Sequence, residues 1–162
     1  MNIPLRDVEM FFFQAMMQGY ADNAPKRKTV DMLHHKEVDI IQGDWRCLDR
    51  YCVTPLSDKS AGSTTIWYQG IPVWVMNYGG DYKEEAIDFL KLALRSNYEE
   101  MIFLGCRGPA IFTHLDNPLI YTNSMSKDSH GFGDFKGCET IKNKSTYTML
   151  GYHEYWGMSL LP

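Results

Sequence analysis

The residues best suited to chemistry in this sequence are a carboxylate among apolar neighbours and an arginine in a glycine-rich turn. Asp49 alternates with Cys47 and Tyr51, so on a strand it shares their apolar face. A buried carboxylate without a partner is costly, and its pKa rises when no cation lies near. Arg107 lies in a turn over residues 105–109, where glycine lets the backbone approach another group closely. Its guanidinium could bind a ligand carboxylate or phosphate, or form a structural ion pair with Asp49.

A second group of reactive side chains lies near the C-terminus, in the run 152–156. On a strand, His153 and Glu154 point to opposite faces, each with an aromatic residue two positions further on. They therefore cannot act as an ordinary acid–base pair on one surface. Each is a candidate acid or base, as is Asp49. No residue is assigned as catalytic.

Motifs that would assign a reaction are missing from the sequence. It has no P-loop, no dinucleotide fingerprint, no zinc-protease motif, no nucleophile elbow and no EF-hand loop. None of the five histidines has the spacing of metal ligands, and the four cysteines include no C-x-x-C pair. We therefore expect no metal and no cofactor.

Charge and hydropathy predict a cytoplasmic chain with reduced thiols. The net charge is −4, and the basic cluster Lys26-Arg27-Lys28 is too short to hold a nucleic acid firmly. No apolar run approaches the ~20 residues of a membrane helix, and the N-terminal residues lack a signal-peptide pattern. We expect no nucleic-acid partner, no membrane partner and free cysteines.

The clearest local signal is a hairpin over residues 63–78 with a two-residue turn at Gln69-Gly70. That turn would pair Ile66 with Val73 and keep the same register along both strands. One face would then be aliphatic, and the other would carry most of the aromatic side chains. The pattern predicts an aromatic cleft for a small molecule or peptide, or else a second core layer. The predicted ligand-binding residues are Trp67, Trp74, Met76, Tyr78, Arg107 and Tyr121.

Two helices must help to position these groups. Apolar spacing predicts a helix over residues 5–19, stopped by the segment 22–25, and the Phe11–Phe13 run widens its apolar arc. Such an arc is covered either by the domain or by a partner chain, as in a homodimer. A capping pattern at Asp81 predicts a second helix that ends near Ser96, after a glycine pair breaks the preceding strand.

Most of the other residues have the pattern of antiparallel strands joined by turns and loops. The predicted segments are a hairpin over 37–54, a polar loop over 55–62, strands over 101–104, 110–113 and 119–122, a long loop over 123–137, and one or two closing strands over 147–161. A chain of 162 residues suits one domain. We therefore expect a single α+β domain over residues 1–162, with a curved antiparallel sheet packed against two helices.

Several short motifs occur in order along most of the chain. They are Gly19-Tyr20-Ala21, Asp49-Arg50-Tyr51, Pro72 to Gly80, Arg107-Gly108-Pro109, Tyr121-Thr122-Asn123 and Tyr155-Trp156-Gly157. In this the sequence resembles the bacterial family of domains of unknown function DUF5680. The resemblance implies little about function, although some similar proteins carry the domain after a helix-turn-helix, in the manner of a sensor or effector. Because few residues precede the first predicted strand, we expect no DNA-binding domain here.

Three functions are compatible with these patterns, and a binding or sensor module ranks first because catalytic motifs are missing. A cofactor-independent acid–base enzyme is the alternative, and it requires that at least two candidate groups meet in one pocket. A homo-oligomeric interaction protein that associates through the N-terminal helix is the third. The candidate groups of the enzyme are Asp49, Arg107, His153 and Glu154.

Overall fold

The computed structural model describes residues 2–21, 26–29, 32–105 and 107–162. Its helices within those ranges are α1 (Leu5–Met16), continued by a π-helical turn (Met17–Ala21), and α2 (Glu84–Glu100). The strands are β1 (Arg27–Lys28), β2 (His35–Gln42), β3 (Trp45–Val53), β4 (Lys59–Tyr68), β5 (Ile71–Tyr82), β6 (Ile111–Thr113), β7 (Leu119–Met125), β8 (Asp134–Asn143) and β9 (Met149–Ser159). A 3-10 turn (Gly131–Gly133) precedes β8.

The strands form one antiparallel sheet in the order β1-β2-β3-β4-β5-β9-β8-β7-β6. Sequential neighbours build two meanders, β1–β5 and β6–β9, and the pairing of β5 with β9 joins them. Buried residues of both helices share one core with one face of this sheet, called the covered face below; the opposite face is the outer face. The predicted α+β class, with a curved antiparallel sheet packed against two helices, is confirmed.

Helix α1 fills the core against the covered face with aromatic side chains. Phe11, Phe12 and Phe13 are at most 3% exposed. The Phe12 ring centroid lies 5.2 Å from that of Trp74 and 5.6 Å from that of Phe132. The chain itself therefore covers this run, which is one of the two coverings that the sequence allows. A homodimer through this helix stays a prediction.

The hairpin of β2 and β3 follows the sequence prediction. A two-residue turn at Gly43-Asp44 joins the strands. Along β3, the side chains of Cys47, Asp49 and Tyr51 are buried at alternate positions. The period of two along a strand thus places Asp49 on the covered face, as its apolar neighbours predict.

A β-bulge in the next hairpin overturns the predicted aromatic face. The turn at Gln69-Gly70 is present, but the register then shifts, so that Ile66 pairs with Trp74 and not with Val73. One inserted residue reverses which side chains of β5 share a face with those of β4. Trp74 therefore lies on the covered face and Trp67 on the outer face, and the predicted cleft between them does not form.

Strand β5 continues past the glycine pair that the sequence predicts as its end. Gly80 lies opposite His153 in β9, where a Cβ atom would come within 2.0 Å of Tyr152 O and 2.7 Å of His153 Cδ2. The glycine thus permits close packing of two strands. Lys83, and not the predicted Asp81, is the residue that precedes α2.

The predicted boundaries before and after α2 also change. The helix continues past Ser96 to Glu100, and residues 101–104 form no strand. It ends where Met101 adopts a left-handed conformation, with φ of 51°. Upstream, β4 begins at Lys59, so the polar loop predicted over 55–62 is too long.

The long loop predicted over residues 123–137 is shorter in the structure, because strands take up both of its ends. Strand β7 extends to Met125 and β8 begins at Asp134, which leaves residues 126–133 to connect them. Strand β8 has no counterpart among the predicted strands, because its polar and glycine-containing sequence obscures the period of two. The missed strand carries one of the residues that matter most to the site described below.

Two further expectations concern thiols and membranes. Cys47, Cys52 and Cys138 are free cysteines, whereas Cys106 lies outside the described residues, as does the predicted helix stop over 22–25. In the part of the chain that the structure describes, no helix combines the length and apolar character needed to span a bilayer.

Candidate functional site

A network of charged and hydroxyl-bearing side chains lies buried on the covered face, where β7, β8 and β9 meet the segment after α2. Arg107 Nη2 donates to Glu139 Oε1 and also to His153 Nδ1, the latter over 3.1 Å. Tyr121 OH donates to the other oxygen of Glu139 over 2.7 Å. Arg107 is 2% exposed and Glu139 0%. At this depth the ion pair compensates for the water that both charges lose on burial.

Asp49 forms a second branch of the network. Its Oδ1 accepts hydrogen bonds from Thr64 Oγ1 over 2.8 Å and from Tyr78 OH over 2.7 Å. Its Oδ2 has no hydrogen-bond partner among the described residues. The guanidinium carbon of Arg107 lies 5.6 Å from the ring centroid of Tyr78, which connects the two branches. The sequence allows an ion pair of Asp49 with Arg107. In the structure Asp49 instead accepts hydrogen bonds from two hydroxyl groups, and Arg107 forms its ion pair with Glu139.

Burial and charge set the protonation of the three titratable side chains that face Arg107. Burial raises the pKa of Asp49, against the opposing effect of its two hydroxyl donors and of Arg107. Burial also raises the pKa of Glu139, but Arg107, His153 and the Tyr121 hydroxyl outweigh it, so that this pKa is lowered overall. Burial and the charge of Arg107 lower the pKa of His153 to about 4. Glu139 is therefore an anion and His153 a neutral imidazole at pH 7.

The neutral His153 has a defined tautomer. Arginine nitrogens only donate hydrogen bonds, so Nδ1 of His153 must accept the one from Arg107. A neutral imidazole that accepts at Nδ1 carries its proton on Nε2. The 3.6 Å separation between Nδ1 and Glu139 Oε1 is then a close approach and not a salt bridge. Nε2–H is a hydrogen-bond donor that faces away from the network.

Strand alternation and a missing side chain put His153 in this position. Asp49 on β3, Glu139 on β8 and His153 on β9 each lie buried between more exposed neighbours. Gly80 on the adjacent strand leaves room for the imidazole. The Tyr82 ring then packs edge-on against it, with ring centroids 4.8 Å apart. The imidazole is thus fixed on three sides by packing and hydrogen bonding.

One cavity reaches this network from the surface and is called the cleft below. Its volume is about 220 Å³. His153 and Ser60 both line it, with His153 Nε2 3.5 Å from Ser60 Oγ. The aromatic and aliphatic lining residues are Tyr51, Val53, Tyr82, Ile87 and Leu90. The other lining residues are polar or charged: Lys26, Ser57, Asp58, Lys59 and Lys91.

Larger cavities lie elsewhere on the surface. One of about 540 Å³ lies beside α1, against Phe11, Trp45 and Tyr68. None of the side chains of the buried network lines it. This larger cavity therefore does not reach the ionisable groups of the network, whereas the cleft ends on one of them.

The structure brings together some of the residues predicted from sequence and separates others. Those that meet in the buried network are Asp49, Tyr78, Arg107, Tyr121 and His153. Trp74 and Met76 are fully buried, and the Trp74 ring stacks on that of Phe132 with centroids 4.7 Å apart. Trp67 lies on the outer face, where the Arg46 guanidinium carbon is 5.5 Å from its ring centroid. Glu154 is exposed on the outer face, opposite to His153, as the strand period predicts.

Sequence reasoning missed Glu139, Thr64 and the lysines of the cleft. Phe135, Gly137, Glu139 and Ile141 occupy alternate positions of β8. This alternation is the signal that could have identified both the strand and its buried carboxylate. The lysines have no comparable signal, because exposed lysines occur throughout the sequence.

These features define a class of protein: an α+β domain in which, over the described residues, a nine-stranded antiparallel sheet holds a buried ionic network under two helices. The model of the family described as "Domain of unknown function (DUF5680)" matches residues 57–158. The chain belongs to the DUF5680 family. The match contains the motifs over 72–80, 107–109, 121–123 and 155–157, whereas those over 19–21 and 49–51 precede it. No match was found among curated proteins or among solved structures.

Proposed function

We propose that this chain is a small-molecule-binding module and that its ligand occupies the cleft beside His153. The observation that carries the proposal is that a cavity of about 220 Å³ ends on a histidine that the ionic network holds in one orientation. Ligand sites characteristically combine apolar walls with a few fixed polar groups. The cleft has that composition, whereas Trp67 and Trp74 lie on opposite faces of the sheet and form no site together.

The size of the cleft favours a small molecule over a peptide. Sites for drug-sized ligands have volumes of roughly 300–1,000 Å³, and the cleft is smaller, at about 220 Å³. Tyr51 and Tyr82 offer ring surfaces, and Ile87 and Leu90 of α2 supply aliphatic ones. A compact molecule with a flat apolar body fits these walls.

Ligand-observed NMR with a mixture of small acids, amides, amines and sugars tests the proposal. The informative variant is Ile87→Trp, which fills the cleft from α2, and the control is Leu92→Trp, at a helix position that is 44% exposed and not part of the cleft. We expect at least one compound to show saturation transfer from the wild type and from the control variant, but not from Ile87→Trp. No transfer to any compound, or equal transfer from Ile87→Trp, contradicts the proposal.

The acid–base enzyme is supported less well than the binding module. It requires two candidate groups in one pocket, and of Asp49, Arg107, His153 and Glu154 only His153 lines the cleft. With Nε2 protonated and a pKa of about 4, His153 is a weak base and a good hydrogen-bond donor at pH 7. These properties suit recognition of an acceptor group.

A further inference from the structure

The inner end of the cleft presents a hydrogen-bond donor whose partner within the chain is poor. His153 Nε2 is 3.5 Å from Ser60 Oγ, longer than an ordinary hydrogen bond, and no other partner of this nitrogen is found among the described residues. Because Arg107 occupies Nδ1, the proton stays on Nε2. A ligand atom that improves on Ser60 at this position must accept a hydrogen bond.

The charged side chains around the cleft are mostly cationic. Among the described residues, Lys26, Lys59 and Lys91 line it, and the one acidic lining residue, Asp58, forms a 2.8 Å salt bridge with Lys83. Lys91 also lies 3.8 Å from Asp88 of the same helix, which does not line the cleft. The Lys26 ammonium also lies 5.9 Å from the ring centroid of Tyr51, a wall of the cleft. The local excess of positive charge contrasts with the net charge of −4 of the whole chain.

The lowered pKa of Lys26 agrees with this local excess of positive charge. Its pKa is lowered first by partial burial and then by the charges of Lys36 and Lys91; Asp49 opposes them, and Arg107 adds the smallest lowering effect. Cations that disfavour one another's protonation create a positive potential at that point. An anion bound there would relieve the repulsion, whereas a bound cation would increase it.

We propose that the ligand of the cleft is a small organic anion: a carboxylate-bearing molecule with a flat apolar body, whose oxygen accepts the Nε2–H of His153 while the lysines neutralise its charge. This inference rests on the proposed binding function and adds the chemical class of the ligand. Binding of this anion forms and breaks no covalent bond.

Three probes of nearly equal shape separate the charge requirement from simple cleft binding. Benzoate, benzamide and benzylamine carry an anionic, a neutral and a cationic group on the same ring. Isothermal titration with each should show benzoate binding at least about tenfold more tightly than benzamide, which corresponds to about 1.4 kcal/mol. Benzylamine should not bind. Saturating benzoate should also protect Ile87→Trp less than wild type against thermal unfolding.

Charge variants test which cations matter. Lys59→Gln combined with Lys91→Gln should weaken benzoate binding by about fivefold, and raised salt should reduce what remains. Lys127→Gln combined with Lys144→Gln removes the same charge from exposed positions that do not line the cleft, and it should leave the affinity unchanged. A two-bond ¹H–¹⁵N spectrum should show the proton of His153 on Nε2.

The outcomes separate the two proposals. Absent benzoate binding, equal loss in both double variants, or a proton on Nδ1 overturns the anion inference. Benzamide or benzylamine binding as tightly as benzoate, and blocked by Ile87→Trp, also overturns it but leaves the cleft as a binding site. Benzoate binding that is as tight in Ile87→Trp as in the wild type contradicts both.

Discussion

Arg107 holds two acceptors with one nitrogen, and this arrangement controls the chemistry of the covered face. The same guanidinium lowers the pKa of Glu139, a carboxylate, and that of His153, an imidazole. The two effects have one cause, a buried positive charge, which favours the anion of the acid and disfavours the cation of the base. His153 is therefore a neutral imidazole beside a buried ion pair, and its Nε2–H is a hydrogen-bond donor at this site.

Removing one partner of the ion pair should be strongly destabilising. Glu139→Gln removes the buried carboxylate that pairs with Arg107, so we expect the free energy of unfolding to fall by about 3–5 kcal/mol. Urea denaturation followed by tryptophan fluorescence measures it. Glu154→Gln, one strand away and exposed, removes the same charge and should cost less than about 0.5 kcal/mol. Similar losses for both variants would show that the burial of Glu139 does not matter.

His153 predicts a loss of stability in mild acid. Its pKa is about 4 in the folded chain and about 6.5 in an unfolded one, so the unfolded state binds more protons between these values. The free energy of unfolding should fall as pH drops from 6.5 to 4, by on the order of 3 kcal/mol from this group. The lowered pKa of Glu139 acts in the same direction, and the raised pKa of Asp49 in the opposite one.

The contribution of His153 is isolated by comparing variants across the same pH range. His153→Gln keeps a neutral polar side chain and cannot titrate, so its unfolding free energy should depend less on pH than that of the wild type. His114→Gln, at an exposed position, should retain the full dependence. If the unfolding free energy of His153→Gln depends on pH as steeply as that of the wild type, His153 does not cause the loss of stability in acid.

At the scale of elements, glycines on the covered face decide how closely strands and side chains pack. A Cβ at Gly151 would lie 2.1 Å from Tyr82 Cδ1, and one at Gly157 would lie 2.4 Å from Phe135 Cζ. Large aromatic side chains thus lie over glycines of a neighbouring strand, which leaves no space for any other residue there. The bulge at Val73 acts at the same scale, because it turns Trp74 into the core.

The adjacent glycines of β5 offer a matched comparison. Gly80→Ala brings a methyl group to 2.0 Å from Tyr152 O, a backbone atom that cannot move alone, whereas Gly79→Ala meets its nearest atom, the Cβ of Ala61, at 3.3 Å. We expect the first variant to lose about 1–3 kcal/mol of unfolding free energy and to displace His153, and the second to lose less. Chemical denaturation together with the imidazole NMR signals measures both effects. Equal stability of the two variants contradicts this packing.

At the scale of the whole molecule, the two meanders share one core. The pairing of β5 with β9 joins them by backbone hydrogen bonds, and α1 joins them by packing, since Phe12 contacts both Trp74 of the first meander and Phe132 before the second meander's β8. The ionic network crosses the same boundary, from Asp49 and Tyr78 to Glu139 and His153. The protein should therefore unfold as one cooperative unit.

Truncation of the Phe12 side chain tests whether the two meanders unfold together. Phe12→Ala removes a ring that is 0% exposed, so we expect a loss of about 3–5 kcal/mol. NMR signals from β3 and from β8 should disappear at the same urea concentration. Leu92→Ala, at an exposed position of α2, should change stability little. Separate transitions for the two strands would mean that the meanders fold independently.

The sequence by itself determined the features that depend on local pattern. Alternation of apolar residues placed Asp49 inside and separated His153 from Glu154, and the two-residue turns predicted both hairpins of β2–β5. Local pattern could also identify Arg107 as unusual, because glycines surround it. It could not identify the partner of Arg107, since Glu139 is 32 residues away and lies in a strand whose pattern is obscured.

Tertiary structure alone decided the location of the candidate site. A single bulged residue moved Trp74 away from Trp67, and an inserted residue of this kind changes every later position on the strand without leaving a periodic signal. The cleft is made by Lys26, by side chains of β3–β5 and the connection between β3 and β4, and by side chains of α2 and β9. No spacing along the chain relates these elements. Its electrostatics depend on distances between those elements, and such distances exist only once the sheet has brought β5 and β9 together.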